Sequence, residues 1–314
     1  MLICDPEKPR NGKPLLKIDF CDFSGLNKRN NFFTKLLETV YTVEINDKPD
    51  LLFFSDAGGS TLHKLYSCKK IFWSGESISP NFEILDGAIT PLELNNKRHI
   101  RMPYYVLGTE CNGDDLIKRN DYSEKVLFAK RKDVSFVVSN AKRKVQHRND
   151  FFRQLNKHIP VHSGGLALNN IGSPIGVGGR NKYEFLSKYK FNIAFENKQI
   201  LGYTTEKIVE AMWAKAIPIY YGDPSINNDF NPKSFINVSD FNSTTDAIEH
   251  IMNVDNSDDL YRSYLEEPFF HNNILNKFFD QNRYLNFIQK ILDSNQISLT
   301  TKKHRFRICK KMHL

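Results

Sequence analysis

No stretch of this chain approaches the roughly 20 consecutive apolar residues needed to span a bilayer. Its first residues, MLICDPEKPR, lack the long apolar region of a signal peptide. The five cysteines (Cys4, Cys21, Cys68, Cys111, Cys309) are odd in number, widely spaced and never arranged as C-x-x-C, which argues for reduced thiols and a cytoplasmic protein. There is no internal repeat and no Asp-x-Asp. Gly176-Val177-Gly178-Gly179 is rich in glycine but is not G-x-G-x-x-G, and reads as a turn. His158 and His162 are separated by Pro160, so they do not share a helix face as zinc ligands would, and no metal site is expected. In a cytoplasmic chain the two sequons, at Asn237 and Asn242, would be idle. Acid is missing from residues 294–314, which carry six Lys/Arg. The formal charge of +8 is therefore mostly a property of that tail, and the nearly neutral remainder argues against a nucleic-acid-binding face.

What is present is enough for two cores. A chain of 314 residues, 40% hydrophobic and with 24 Phe, exceeds the size at which one core keeps growing. Short apolar runs at 15–20, 41–45, 50–54 and 70–73 read as strands, with a helix over 30–38 between the first two. That alternation indicates an α/β domain with a mostly parallel sheet. Residues 108–125 are polar and turn-rich, a linker. A second α/β series follows: a strand over 132–138 ending in Ser139-Asn140, then a helix beginning near Arg148. Helices are expected over 245–252 and 258–266, and a long amphipathic helix over 273–292.

The densest signal is YKFNIAFENKQILGYTTEKIVEAMWAKAIPIYYG, Tyr189 to Gly222. It reads as strand, loop, helix, strand, with Thr204 or Thr205 as helix cap. Such a unit makes a parallel pair with a right-handed crossover, and its ligand edge lies beyond the carboxyl ends of the strands. That edge carries Glu196, Asn197, Tyr203, Thr204, Thr205, Glu206 and Lys207. A helix N-terminus suits phosphate, whereas Lys207 in the first turn opposes the helix dipole, a conflict that an anionic ligand would relieve. Glu206 can hydrogen-bond ribose hydroxyls. A surface helix that happens to carry a Glu and a Lys is the plain alternative.

The run FEN, YTTEKI, IPIYYG and DFNPKSFINVSDF (Asp229 to Phe241) resembles the donor-binding region of the α1,3/4-fucosyltransferases, glycosyltransferase family 10, in its soluble bacterial form. The segment WSGESISPNF, followed by Asp86 and by Arg101-Met102-Pro103-Tyr104-Tyr105, resembles the acceptor-side motif of the same family, with Ser77 where Asn is common. The resemblance implies two Rossmann-like domains facing across a cleft, the GT-B fold, with an acceptor domain at 1–120, a GDP-fucose domain at 121–267, a C-terminal helix at 268–294 returning to the first domain, and a basic tail at 295–314. It implies Glu76 as general base, and Ser139, Asn140, Arg148, Asn197, Tyr203, Glu206 and Lys207 around GDP-fucose. Ser79, Asn81 and Phe82 would meet the acceptor.

The reaction implied is inverting α1,3-fucosyl transfer from GDP-β-L-fucose to the 3-hydroxyl of GlcNAc in N-acetyllactosamine glycans. It would need no cofactor or metal, cationic side chains standing in at the pyrophosphate. An α1,4 linkage, transfer to GlcNAc or lactose, and a catalytically idle glycan- or nucleotide-binding protein are the alternatives. The tail, with Phe306, Ile308 and Met312 among its basic residues, is either a disordered end or a peripheral contact with anionic lipid.

Overall fold

A computed structural model describes residues 12–117, 132–141, 145–176 and 179–294. The basic tail lies outside the described residues, as does the latter part of the expected linker, from residue 118 on. The chain divides into two compact units.

The first unit opens with β1 (Leu15–Cys21), α1 (Phe32–Glu38), β2 (Thr42–Ile45), β3 (Leu51–Phe54), β4 (Lys69–Trp73), β5 (Gly87–Thr90) and β6 (His99–Arg101). All strand pairs are parallel, in the order β2-β1-β3-β4-β5-β6. β3 is the unbroken apolar run LLFF and is buried throughout, as a strand covered on both faces should be. Phe33 of α1 stacks on Phe53 with ring centroids 4.7 Å apart. Register places Cys21 beside Phe54 and Phe54 beside Phe72, so the carboxyl ends of β1, β3 and β4 lie side by side. The strand order reverses between β1 and β3, the switch point of this sheet.

The second unit repeats the plan with β7 (Lys132–Phe136), α2 (Gln146–Leu155), β8 (Val161–Ser163), α3 (Gly179–Leu186), β9 (Tyr189–Phe195), α4 (Glu206–Trp213), β10 (Ile217–Tyr221), β11 (Ile236–Asn237), α5 (Thr244–Asn256) and α6 (Asp258–Glu266). Its parallel sheet runs β11-β10-β9-β7-β8, so its switch point lies between β7 and β9. The two-residue alternation of the strands sets the layers. Phe191, Ile193, Phe195, Ile217 and Ile219 pack with Phe151, Phe152 and Leu155 of α2 and Ile248 and Ile251 of α5. Ala194 and Tyr220 face the other way, against Ile208, Val209 and Met212 of α4.

The boundaries fall elsewhere than the sequence suggests. Apart from Pro91–Glu93, the second unit begins at Pro103 rather than near residue 120, because Tyr105 and Leu116 are buried in that unit's core. It leaves at Phe279, because Phe269, Phe270 and Phe278 belong to the same core. The long helix expected from Asn273 is also shorter: α7 spans Gln281–Asp293. Asn272 and Asn273 both sit at φ 56°, in the left-handed region, which stops a helix there. Asp280 then caps α7, accepting from the Asn282 N–H at 3.0 Å. α7 belongs to the first unit. Its Tyr284 meets Phe32 edge-on, and a side chain at Gly87 of β5 would stand only 3.0 Å from Ile291. Among the described residues no helix is long and apolar enough to cross a membrane.

Candidate active site

The switch point of the second sheet gathers the residues that follow β7 and β9. Arg148 lies in the first turn of α2 and is 2% exposed. Its Nη2 donates to the Asn140 carbonyl at 2.5 Å and its Nη1 to Asn197 Oδ1 at 2.9 Å. One guanidinium thus ties the loop after β7 to the loop after β9. Phe136 lies under it, 5.9 Å from the ring centroid. Burial lowers the Arg148 pKa, and the nearby Glu196 carboxylate opposes that shift. Nε is buried and has no partner among the described residues. A guanidinium has five N–H donors, so the two protein bonds named leave donors suited to an anion.

The loop from Gly202 to Lys207 is held by two buried carboxylates. Asp223, just beyond β10, accepts from the Gly202 N–H at 2.8 Å and from the Thr204 hydroxyl at 3.0 Å. Glu196, directly after β9 and 0% exposed, accepts from the Thr205 N–H at 2.7 Å and from the Thr205 hydroxyl. Glu196 also takes the Lys207 ammonium at 3.0 Å, and Glu206 lies 3.5 Å from that ammonium. Burial pulls the Lys207 pKa down, but these two carboxylates more than reverse it, so the side chain stays an ammonium. Burial likewise raises Glu206, and the ammonium groups of Lys207 and Lys182 bring it below the usual carboxylate range. Thr205 stands at the cap position of α4 without making a side-chain cap bond, because Glu196 has claimed its hydroxyl. The dipole conflict at Lys207 is likewise relieved within the protein rather than left for a ligand.

In the first unit Glu76 follows β4 at the carboxyl edge of the sheet and is exposed. The turn that presents it is fixed: buried Ser74 accepts the Glu76 N–H at 3.1 Å, and the Glu76 carbonyl accepts the Ile78 N–H at 2.8 Å. Ser79 and Asn81 lie in the same loop and are exposed; Asn81 Oδ1 accepts the Glu83 N–H at 3.0 Å. Phe82 is half-buried against the core of Leu52, Phe72 and Leu85, with the Arg98 guanidinium 5.1 Å from its ring. Two strands away, at the first unit's switch point, Asp22 follows β1 at φ 62° and accepts from Leu62 N–H at 3.0 Å and His63 Nδ1 at 2.5 Å, as well as from the Ser60 hydroxyl.

Two family models match the chain: "Glycosyltransferase family 10 (fucosyltransferase) C-term" over residues 127–305, and "Alpha-(1,3)-fucosyltransferase FucT N-terminal domain" over residues 18–108. The α-(1,3)-fucosyltransferase FucT of Helicobacter pylori is 33% identical over 90% of this chain and 67% of its own length. A crystal structure of an α1,3-fucosyltransferase with GDP-fucose superposes with a TM-score of 0.72 at 32% identity, covering 94% of this chain and 95% of that one. A second, with GDP, gives 0.73 at 30% identity over the same shares. The chain belongs to glycosyltransferase family 10.

This family 10 fucosyltransferase therefore has the GT-B fold class, with two parallel-sheet α/β units. In the second unit the structure joins Asn140, Arg148 and Asn197 through direct bonds, and Glu206 and Lys207 through their ion pair. Ser139 is exposed in the turn beside Asn140. Tyr203 is 1% exposed, closed within its loop. Glu76, Ser79, Asn81 and Phe82 share one loop of the first unit. Glu196 and Asp223 were given no role from the sequence. The available signal for Glu196 is its place, directly after the mostly apolar strand YKFNIAF.

Proposed function

We propose that this fucosyltransferase moves L-fucose from GDP-β-L-fucose to the 3-hydroxyl of GlcNAc in N-acetyllactosamine-type glycans, with inversion at the anomeric carbon. The observation that carries the reading is the Arg148 guanidinium, buried at the second switch point and bonded to both flanking loops. A donor diphosphate placed there meets Arg148, the first turn of α4 and the nearby Lys207 ammonium. Glu206 is held as a carboxylate, the form that accepts from ribose hydroxyls. The acceptor hydroxyl attacks C1 of fucose while the bond from C1 to the phosphate oxygen breaks. Glu76 takes the hydroxyl proton, and the bonding electron pair leaves with GDP. The cationic groups offset the charge that develops on GDP, so the reaction needs no metal.

Fucose transfer from GDP-fucose to N-acetyllactosamine, lacto-N-biose, lactose and GlcNAc, with EDTA present, tests this. Product on N-acetyllactosamine with a 1,3 linkage supports it. Product on lacto-N-biose alone would replace the linkage, and activity lost to EDTA and restored by a divalent ion would overturn the metal-free step. Absence of GDP binding would remove the donor assignment altogether.

A further inference from the structure

Glu196 is a charged group of the second unit held by several hydrogen bonds, and the resemblance assigns it nothing. Its side chain is fully buried. One oxygen accepts the Thr205 N–H at 2.7 Å and the Thr205 hydroxyl at 2.9 Å; the other accepts that hydroxyl at 2.7 Å and the Lys207 ammonium at 3.0 Å. The ammonium also reaches the Thr205 hydroxyl at 2.6 Å. These contacts bind the end of β9 to the start of α4, the two elements whose edges would meet the donor. The groups facing Glu196 are Lys207 and Glu206 of α4, Arg148 and His147 of α2, and Tyr220 of β10. A buried lysine at a helix N-terminus is unfavourable twice over, by desolvation and by the dipole. Glu196 offsets both and fixes where the ammonium sits.

We propose that Glu196 is a positioning residue for fucosyl transfer: its carboxylate sets the Lys207 ammonium and the first turn of α4 in one frame toward the donor diphosphate. The inference rests on the donor reading given above. Glu196 itself is closed off from ligand and acts through Lys207. Glu196→Gln is the discriminating change, because an amide oxygen still accepts from Thr205 while the charge that holds Lys207 is gone.

The test is a double-variant cycle on GDP binding by calorimetry and on kcat and KM for GDP-fucose, using the wild type, Glu196→Gln, Lys207→Met and the double variant. Glu196→Gln is expected to weaken GDP binding and raise KM about tenfold, the size of a buried charge-assisted contact. With Lys207 already removed, adding Glu196→Gln should cost nothing further. Multiplying losses would mean that Glu196 acts independently of Lys207, and would overturn the proposal while leaving the donor site standing. A wild type that does not bind GDP would remove both.

If Glu196→Gln does not fold, Lys207→Met still decides the matter. Burial already raises the Glu196 pKa and the Lys207 ammonium opposes that shift, so without the ammonium the carboxyl holds its proton to still higher pH. Stability of Lys207→Met, measured against the wild type, should then fall as pH rises from 5 to 8. Parallel pH profiles for the two proteins would refute the pairing.

Discussion

Arg148 Nη1 donates to Asn197 Oδ1 at 2.9 Å, fastening the first turn of α2 to the loop after β9. The same guanidinium reaches the Asn140 carbonyl through Nη2. A lysine at this position keeps the charge and loses the planar fork, so it cannot hold both loops and a phosphate at once. Arg148→Lys is expected to weaken GDP binding by roughly 10–100-fold, the range of one or two charge-assisted hydrogen bonds. Calorimetric titration with GDP checks it, and wild-type affinity in Arg148→Lys would show that only the charge is used.

Glu76 is fixed through its backbone by Ser74 and Ile78, while its side chain is exposed at the carboxyl edge of the first sheet. Replacing the carboxylate by an amide leaves that turn intact and removes the proton acceptor. Glu76→Gln should lower kcat by roughly 10²–10⁴, the usual contribution of a general base, with GDP affinity unchanged. The split matters: a parallel loss of GDP binding would place Glu76 outside the proton-transfer role.

The strand-loop-helix-strand unit from Tyr189 to Tyr221 was legible because each part has a distinct pattern. A mostly apolar strand, a polar loop, a 3.6-residue apolar stripe and a second strand leave one arrangement. The Lys207 conflict was legible too, since the dipole argument needs only its position in the first turn. Its resolution was not. Glu196 lies eleven residues before Lys207, and nothing in FEN marks that glutamate as buried, with the ammonium and Thr205 as its partners. Strands as short as His99–Arg101 and Val161–Ser163 carry too few residues for a period to show. The C-terminal helix reads too long in the sequence because Phe278 and its apolar neighbours continue its spacing, yet Phe278 fills the core of the second unit.

Asp22 ties the end of β1 to the turn carrying Ser60, Leu62 and His63. Burial raises its pKa, but the hydrogen bonds from the Ser60 hydroxyl, the His63 ring and the N–H groups of His63 and Leu62 prevail, bringing it to about 2. A carboxyl depressed in the folded state adds stability above its unfolded pKa, near 4, and that stability is lost as pH falls toward 2. Asp22→Asn should therefore be less stable than the wild type at pH 7, by about 2 kcal/mol, and the gap should close by pH 2–3. Denaturant unfolding of both proteins across that range measures it. A gap that persists unchanged at low pH would assign Asp22 a packing role without its charge.

Gly222 offers a way to disturb Glu196 without touching a charge. A Cβ at this position would stand 2.5 Å from Glu196 Cγ and 2.7 Å from the Tyr220 hydroxyl oxygen, inside any contact distance. Neither neighbour is free to swing away: Glu196 is held by Thr205 and Lys207, and the Tyr220 hydroxyl accepts the Asp223 N–H at 2.9 Å. Gly222→Ala should lower stability by roughly 1–3 kcal/mol, the usual cost of an overpacked core. Because the strain falls on the carboxylate that positions Lys207, GDP affinity should drop as well, while the same substitution at Gly59, which has open space but φ 65°, should lower stability through its backbone alone and leave GDP binding unchanged. Melting curves and GDP titrations on the two variants separate the effects. A Gly222→Ala protein that melts lower yet binds GDP as tightly as the wild type would mean that donor affinity does not depend on where Glu196 sits.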